Sequence, residues 1–286
     1  MQEVVDIFLN SEGSISISKN SEEEHHFFEL LKIGSSTVYD LPQAFIAFNE
    51  DTEEIRSGQF YAPDGFEQWV LNFGINKDSK INSSTARARM AFYNMAKESE
   101  IEISQSRLLE KEGLVYFMTK RFDRSGKLNK SHTQSLSSLR HFDFKNRFSY
   151  EQVFETMRLL RLPYQQAEQM FRRVVFNIIH NNYYESLKSI SFIMNEQGEW
   201  KLATFNPMNT RSGNRSENRH MLSINGKFNS ITKNDLLELA RSISIKKATH
   251  IIDEIEEVSL NWSYYAENQE VPNDVIERVK EGILKV

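Results

Sequence analysis

The sequence of 286 residues contains no cysteine, which excludes disulfide bonds and thiolate metal sites. Its seven histidines show no metal-ligand spacing, because the closest pair, His25 and His26, is directly adjacent in the chain. We therefore expect no structural metal. Long apolar runs are also absent, so no membrane-spanning segment is predicted. The N-terminus lacks the basic start and uninterrupted apolar stretch of a signal peptide, and this predicts a cytoplasmic protein.

Proline is scarce, with only five residues, whereas 39% of the chain is hydrophobic and 26% is charged. A chain of this length and composition can bury a sizeable core, either as one large domain or as two lobes. We predict two lobes.

Charge is unevenly distributed along the chain, although the net charge is only −5. Residues 1–60 contain twelve acidic and three basic residues, whereas residues 120–147 contain eight basic and two acidic residues. The basic segment could meet phosphates or an acidic partner, but a solvated face is the more common explanation for such a run. By itself it does not predict a nucleic-acid site.

The first part of the chain has the pattern of a small sheet with few helices. Short apolar runs predict buried strands at 43–49 and 66–74, and residues 106–124 predict a hairpin that turns at Gly113. Residues 84–99 combine good helix formers with an apolar face. Upstream, 14–21 alternates like an edge strand, and a helix capped by Ser21 is predicted after it.

The second part is mainly helical. Five segments are predicted to be helical, and a hairpin that turns at Gly198 lies between the second and the third. The predicted helices cover 149–162, 164–180, a segment that begins with the capping box of Thr232 and Asp235, 248–262, and a last one introduced by Pro272. We therefore predict an α+β fold with a sheet-rich lobe at 1–118 and a helical lobe at 119–286.

Three motifs make the sequence recognisable: KRFDR at 120–124, HTQSL at 132–136 and SINGK at 223–227. With these motifs the chain resembles the HipA family of toxin serine/threonine kinases from bacterial toxin–antitoxin systems, over residues 28–286. The resemblance implies a two-lobed protein-kinase-like fold in the short, split-type layout. It also implies ATP and magnesium dependence, aminoacyl-tRNA synthetases as substrates and inhibition by a DNA-binding antitoxin.

Alignment to the family's phosphate-binding loop places Val38 and Tyr39 at glycine positions and Gln43 at a lysine position. Bulky side chains keep backbone amides away from phosphate, which compromises this loop. The nucleotide-binding lysine aligns with Asn72, and the acid that pairs with it aligns with Arg89. Both members of the implied ion pair are therefore replaced together.

The family's catalytic loop aligns with the segment from Phe176 to Phe192. Tyr184 takes the place of the catalytic aspartate, and a tyrosine with a pKa of about 10 cannot act as that carboxylate does. Ser186 aligns with a histidine, and Ser189 replaces the magnesium-binding asparagine. Lys188 is the retained charged member.

The second magnesium ligand of the family aligns with Pro207, which has no side-chain oxygen. Glu185 and Asn206 are the neighbours that could replace the lost ligands after a shift of one residue. A single displaced carboxylate rarely recreates a two-metal site. We therefore expect neither ATP nor magnesium as a cofactor unless such a rescue operates.

The replacements lie on five separate segments. Each removes a group needed for phosphate binding, metal binding or proton transfer, and together they favour a pseudokinase with a protein-binding or regulatory role. The expected partner is a protein: a cognate kinase, an antitoxin or a former kinase substrate. The first alternative is an atypical active kinase that uses Lys188, Glu185 and Asn206. The second is a nucleic-acid-associated toxin–antitoxin component that binds nucleic acid directly through the basic segment. Apart from that alternative, nucleic acid is expected only indirectly, through a partner, and no membrane partner is expected.

Each family motif also has a structural interpretation, which we favour. In KRFDR, Asp123 is predicted to pair with Arg121 or Arg124. His132, Gln134 and Ser135 are predicted to form a partly buried polar network. SINGK is predicted to be a conformationally demanding turn with a positive end.

Overall fold

The computed structural model describes residues 43–58, 62, 64–73, 78–111, 113–125, 129–141, 147–205 and 219–286. The strand predicted at 14–21 and the helix predicted after Ser21 lie outside these residues. The described residues form two compact units. Unit 1 contains those up to Met90 together with 104–130, and unit 2 contains 91–103 and 131–286. The proposed division after residue 118 stays a prediction.

Unit 1 is built on a five-stranded antiparallel sheet with the order β2-β1-β3-β5-β4. Its strands are β1 (Gln43–Phe48), β2 (Ile55–Ser57), β3 (Glu67–Asn72), β4 (Ser106–Lys111) and β5 (Leu114–Lys120). The two predicted buried strands and the predicted hairpin are confirmed. The hairpin turns at Gly113, whose φ of 74° favours glycine.

The sheet presents large apolar side chains to the interior of unit 1. Ile46 and Phe48 from β1, Trp69 and Leu71 from β3 and Met118 from β5 are each fully buried in one cluster. Burial of such side chains is the main favourable term in folding. The short apolar runs of β1, β3 and β5 are therefore explained by the burial of these strands in the core of unit 1.

Helix α1 (Ser79–Glu98) begins five residues before the predicted start at Ser84. Its first turn carries no buried apolar residue, and Ile81 is 48% exposed, so hydrophobic periodicity gives no signal there. The start is marked by Asp78, whose carboxylate accepts a 2.9 Å hydrogen bond from the backbone N–H of Lys80.

The KRFDR segment follows β5 and leads into a small ribbon of β6 (Arg124–Ser125) and β7 (Asn129–Lys130). Asp123 accepts two hydrogen bonds from Arg121, at 2.9 and 2.8 Å, and one from Arg124 at 2.5 Å. The ion pair predicted for this motif is confirmed.

Unit 2 contains seven helices in the part of the chain that the structure describes. They are α2 (Leu136–Arg140), α3 (Tyr150–Leu159), α4 (Tyr164–Ile179), α5 (Lys233–Ser242), α6 (Ala248–Leu260), α7 (Trp262–Glu267) and α8 (Asn273–Gly282). The predicted helical segments are confirmed, and the helix predicted at 248–262 corresponds to α6. None of the helices described in either unit is long and apolar enough to cross a membrane.

Two small sheets complete unit 2. A three-stranded antiparallel sheet has the order β11-β10-β8, and a short parallel pair joins β9 to β12. These strands are β8 (His132–Ser135), β9 (Phe148–Ser149), β10 (Ser191–Met194), β11 (Trp200–Leu202) and β12 (Leu222–Ser223). The hairpin predicted around Gly198 is confirmed, with a φ of 80° at that glycine.

Helix α4 is the central element of unit 2. Every residue from Met170 to Ile179 is buried, including two arginines and an asparagine. A helix that is buried on all sides normally lies inside a larger fold. The prediction of a central core helix is confirmed.

The other two motifs have local structural roles. Ser135 caps α2, because its hydroxyl accepts a hydrogen bond from the backbone N–H of Ser138, and it also bonds the hydroxyl of Ser137 at 2.9 Å. In the SINGK turn Asn225 and Gly226 both have positive φ, 50° and 77°. Lys227 at its end pairs with Asp235 at 2.7 Å. The turn predicted for SINGK is confirmed. The polar network predicted for HTQSL is confirmed at Ser135 but is wrong for His132, which is exposed and places its ring centroid 5.8 Å from that of Trp200.

Candidate functional site

Two of the positions aligned with phosphate-binding lysines lie side by side in unit 1. Gln43 on β1 is the cross-strand partner of Asn72 on β3. The Gln43 Nε2 atom donates a 2.8 Å hydrogen bond to Asn72 Oδ1, and Asn72 Nδ2 donates a 3.1 Å bond to the carbonyl oxygen of Phe117 on β5. Asn72 is buried. Its amide therefore joins three strands of the sheet.

Arg89 lies at the same place in unit 1. It projects from α1 with only 6% of its surface exposed, and its guanidinium carbon lies 4.6 Å from the centroid of the Phe117 ring. A guanidinium over an aromatic face is stabilised electrostatically. Gln43, Asn72 and Arg89 thus gather around Phe117, whereas Val38 and Tyr39 lie outside the described residues.

In unit 2, the segment that resembles a catalytic loop begins where α4 ends. Asn181 adopts a φ of 50°, which turns the chain away from the helix axis. Asn182 then bonds back to Asn177, through its backbone N–H to the carbonyl and through Nδ2 to Oδ1, both at 2.8 Å. These two hydrogen bonds fix the start of the loop against the core helix.

Ser186 and Ser189 close a tight turn within the loop. The Ser189 hydroxyl donates to the Ser186 carbonyl at 2.7 Å and accepts from the Ser186 backbone N–H at 3.0 Å. The hydroxyl at the position of the magnesium-binding asparagine is therefore engaged by the backbone of its own turn. The adjacent Lys188 is exposed, and Tyr184 is half-buried.

Glu185 lies in the interior of unit 2, with 7% of its surface exposed. The hydroxyl of Tyr150, at the start of α3, donates a 2.5 Å hydrogen bond to Glu185 Oε2. Asn177 and the charge of Arg173, both on α4, also act on this carboxyl. Four residues from two helices and the loop thus form one buried polar network.

Burial dominates the protonation of this network. Desolvation raises the pKa of Glu185 to about 7, although the hydrogen bond from Tyr150, the nearby Asn177 amide and the charge of Arg173 act to lower it. Burial and the neighbouring Glu185 charge raise the pKa of Tyr150 well above its ordinary value, so the tyrosine keeps its proton. Burial lowers the pKa of Arg173 to about 10, which still leaves it charged at neutral pH.

Asn206 and Pro207, the remaining candidates for metal binding, lie outside the described residues. Within the portion of the chain that the structure covers, histidine, aspartate and glutamate side chains form no group of three that could hold a metal ion. The expectation that no metal is bound stays a prediction.

Sequence reasoning did not foresee the roles of Tyr150 and Arg173 in this network. Tyr150 belongs to a predicted helix start, and its partner is 35 residues away in the chain. The signal for Arg173 is weak: two adjacent arginines interrupt the otherwise apolar run of α4. Buried charges require partners, so this interruption indicates a polar contact inside the fold without identifying it.

The family model of the HipA-like C-terminal domain matches residues 42–262, which is most of the chain. The chain belongs to this family. A search of curated proteins finds no match. The matched span contains both the unit 1 positions around Phe117 and the loop that follows α4.

A solved structure agrees with this family at the level of the fold. The chain is similar to HipA of the Shewanella oneidensis MR-1 toxin–antitoxin system, in a structure of HipA and HipB with operator DNA. The TM-score is 0.65 at 13% identity, covering 98% of this chain and 76% of that one. The Helicobacter pylori proinflammatory kinase CtkA matches with a TM-score of 0.46 at 10% identity, covering 78% of this chain and 89% of that one. From the family model and the HipA structure, the fold is α+β and protein-kinase-like, as predicted.

Proposed function

We propose that this HipA-family chain is a pseudokinase that acts by binding another protein. The observation that carries the proposal is the hydrogen bond between Gln43 and Asn72. At the positions where the family resemblance implies phosphate-binding lysines, the chain has two neutral amide side chains that hydrogen-bond to each other. An amide pair of this kind cannot supply the positive charge that phosphoryl transfer needs.

The loop after α4 supports the same proposal. Ser189 uses its hydroxyl to close a turn with Ser186, so the turn competes with a metal for this oxygen. Magnesium prefers carboxylate and water ligands and is dehydrated reluctantly, and a neutral hydroxyl within a local turn fits it poorly. Tyr184 offers no carboxylate at the base position.

Glu185 is the residue that an active kinase would most need in this chain. Its carboxyl is buried and accepts a hydrogen bond from Tyr150. Using it as a base or a magnesium ligand would require breaking that bond and exposing the carboxyl. Its engagement therefore supports the pseudokinase over the atypical kinase.

The proposal of a protein partner is supported by the similar HipA, whose solved structure contains HipB and operator DNA. For this chain we propose a protein contact of the same general kind, with an antitoxin, a cognate kinase or a former kinase substrate. Any contact with nucleic acid would then be made through that partner.

The decisive experiment is calorimetric titration of the full chain with ATP, with and without magnesium, together with an autophosphorylation assay that uses radiolabelled ATP. We expect neither magnesium-dependent binding nor phosphate incorporation. An active protein kinase measured in parallel shows that the assay conditions support both. Magnesium-dependent ATP binding with phosphate incorporation would establish the atypical kinase instead.

The protein-binding part is tested separately by co-expression with the products of adjacent genes, followed by size-exclusion chromatography. We expect one neighbouring product to coelute with the chain at a fixed stoichiometry. If each neighbouring product elutes apart from the chain, the proposed partner class is wrong even where catalysis is absent.

A further inference from the structure

Two connections between helices of unit 2 meet at its surface. Residues 158–164 lead from the end of α3 into α4, and residues 241–247 lead from the end of α5 to α6. The hydroxyl of Tyr164 accepts a 3.0 Å hydrogen bond from the backbone N–H of Lys246. This bond joins the two connections, which are far apart in the sequence.

The two connections carry five basic side chains and no acidic one. All five are exposed: Arg158, Arg161, Arg241, Lys246 and Lys247. None of them forms an ion pair with a residue that the structure describes, whereas Arg140 and Arg172 of the same unit each pair with a glutamate. Glu168, one turn along α4, is half-buried and pairs with none of the five. We refer to residues 158–164 and 241–247 together as the basic corner.

Local helix stability explains only part of this charge. Arg158 and Arg241 lie in the last turns of α3 and α5, where the partial negative charge of a helix C-terminus stabilises a cation. Lys246 and Lys247 instead precede the first turn of α6, where the helix end is partially positive. Lys247 is the N-cap residue of α6 and makes no capping hydrogen bond with its side chain. Two lysines that oppose the local helix indicate a role beyond its stability.

Large apolar side chains are exposed in the same connection as the first arginines. Leu159, next to Arg158, is 64% exposed, and Tyr164 is 38% exposed. An exposed leucine alone needs no explanation. An apolar and an aromatic side chain among charged ones, however, have the composition of a protein-binding surface, in which apolar anchors are surrounded by a polar rim.

Charge complementarity selects an acidic partner. The chain as a whole has a net charge of −5, so five unpaired cations at one place create a local positive potential that steers acidic groups to it. A phosphate backbone would use the cations but not the leucine. An acidic peptide segment can use both, because its carboxylates meet the cations while an apolar side chain covers Leu159 and Tyr164.

We propose that the basic corner is the docking surface for an acidic segment of a partner protein, in which aspartate or glutamate side chains flank a large apolar side chain. This inference rests on the proposed protein-binding function, since it names the surface and the partner chemistry that the function uses. It requires nothing of the positions around Phe117 or of the loop after α4.

The first test uses a fluorescein-labelled peptide that repeats Glu-Leu-Asp-Phe, titrated with the full chain in fluorescence anisotropy at low and at physiological salt. We expect saturable binding that weakens as salt rises, because exposed charge pairs are screened. A peptide with serine in place of leucine and phenylalanine should bind about tenfold more weakly. No binding at low salt, or equal binding of the two peptides, would overturn the proposal.

A double variant assigns the binding to the corner. Lys246→Glu with Lys247→Glu should weaken the affinity for the peptide about tenfold or more, and it leaves folding intact because acidic residues are favoured before a helix. The matched control is Lys280→Glu with Lys285→Glu, which makes the same charge change at exposed lysines near the other end of α4, about 20 Å away. Equal losses in the two double variants would refute a specific site.

The apolar anchor is tested by a matched pair of leucines. Leu159→Ser should weaken the affinity about fivefold or more, since burial of the leucine on binding is lost. Leu260→Ser changes a leucine that is 58% exposed at the far end of α6, and it should have no effect. Unchanged affinity in Leu159→Ser would refute the anchor.

Partners that carry phosphate are tested in parallel with duplex DNA and with phosphatidylserine vesicles. We expect both to bind the wild type more weakly than the peptide does. If either binds more tightly and loses that binding in the Lys246→Glu and Lys247→Glu variant, the corner serves a phosphate-bearing partner and the proposal is overturned.

Coelution with a neighbouring gene product separates this inference from the proposed function. The Lys246→Glu and Lys247→Glu variant should lose the coeluting product, and the Lys280→Glu and Lys285→Glu variant should keep it. If both variants keep it, the corner is refuted and the protein-binding function stands. If no product coelutes with the wild type, that function is contradicted, and the peptide titration still decides whether the corner binds acidic segments.

Discussion

At the scale of single residues, the protonation of Glu185 is determined by its burial in the interior of unit 2. Its side chain accepts a hydrogen bond from Tyr150 and lies near the charge of Arg173. Burial nevertheless raises its pKa from 4.5 to about 7. The residue therefore changes protonation close to physiological pH inside the fold.

This shift predicts how stability depends on pH. Between about pH 4.5 and 7 the folded chain keeps a proton on Glu185 that the unfolded chain has lost, so the free energy of unfolding falls as pH rises, by up to about 3 kcal/mol. The buried histidines His180 and His220 have pKa values lowered to about 4, and act in the opposite direction below pH 6.5.

Comparison of Glu185→Gln with the wild type removes the histidine contribution, because both proteins share it. We expect the difference in free energy of unfolding, variant minus wild type, to be larger at pH 8 than at pH 5. Urea denaturation at both pH values measures it. Glu196→Gln, an exposed glutamate in the β10–β11 turn, is the matched control. Parallel pH dependences of Glu185→Gln and wild type would contradict the prediction.

At the scale of elements, the pairing of strands β1, β3 and β5 determines the contacts of Gln43 and Asn72, the two positions aligned with lysines. Their pairing brings Gln43 and Asn72 together and places both beside Phe117, on which Arg89 rests. At the positions where the family resemblance implies a lysine and an acid, the structure thus accommodates an asparagine that bonds across the strands and an arginine that rests on an aromatic ring.

A lysine introduced at position 72 should therefore not create a phosphate-binding site. We expect Asn72→Lys to destabilise the chain by about 3 kcal/mol, since it buries a second cation near Arg89 and disrupts the bonds to Gln43 and Phe117. Asn72→Asp, whose carboxylate has the opposite charge to Arg89, should be tolerated better. Thermal denaturation compares them, and a more stable lysine variant would indicate that an acidic partner for lysine is retained.

The start of α5 is held by Asp235, which is buried. Its carboxylate accepts from the backbone N–H and hydroxyl of Thr232 at 2.9 and 2.8 Å and from Lys227 at 2.7 Å. We expect Asp235→Ala to lower the free energy of unfolding by about 2 kcal/mol, because it removes a helix cap and an ion pair together.

Asp253→Ala is the matched control, since Asp253 forms an exposed ion pair with Lys233 and should contribute less than about 1 kcal/mol. Although burial acts to raise the pKa of Asp235, the hydrogen bonds from Lys227 and Thr232 lower it overall. The Asp235 contribution should thus decrease as pH falls through its folded pKa. If Asp235→Ala and Asp253→Ala lower the free energy of unfolding equally, the helix cap contributes no more than an exposed ion pair.

At the scale of the whole molecule, charge argues against direct nucleic-acid binding. The net charge is −5. In the basic segment, Arg121 and Arg124 both pair with Asp123, and Arg140 pairs with Glu155 at 3.6 Å. Cations that already have acidic partners contribute little to the counterion release that drives binding to nucleic acids.

We therefore expect the isolated chain to show no measurable binding to duplex DNA at physiological salt in fluorescence anisotropy. A repeat at low salt reveals any weak electrostatic contact. Binding whose affinity falls steeply with salt would promote the alternative of a nucleic-acid-associated component. Binding that appears only with a coeluting protein would agree with indirect contact.

The sequence by itself determined the features that depend on neighbours in the chain. The β4–β5 hairpin, the capping box of Thr232 and Asp235 and the positive-φ turn at Asn225 and Gly226 all follow from short patterns, because each involves residues a few positions apart. The family and the kinase-like fold also followed, since the motifs that identify them are contiguous.

Tertiary structure decided what distant residues do to one another. Gln43, Asn72 and Arg89 meet only because β1, β3, β5 and α1 pack around Phe117, and Tyr150 bonds Glu185 across 35 residues. The raised pKa of Glu185 and the lowered pKa of His220 both come from burial. Burial and long-range pairing depend on the complete packed chain, so no local pattern encodes them.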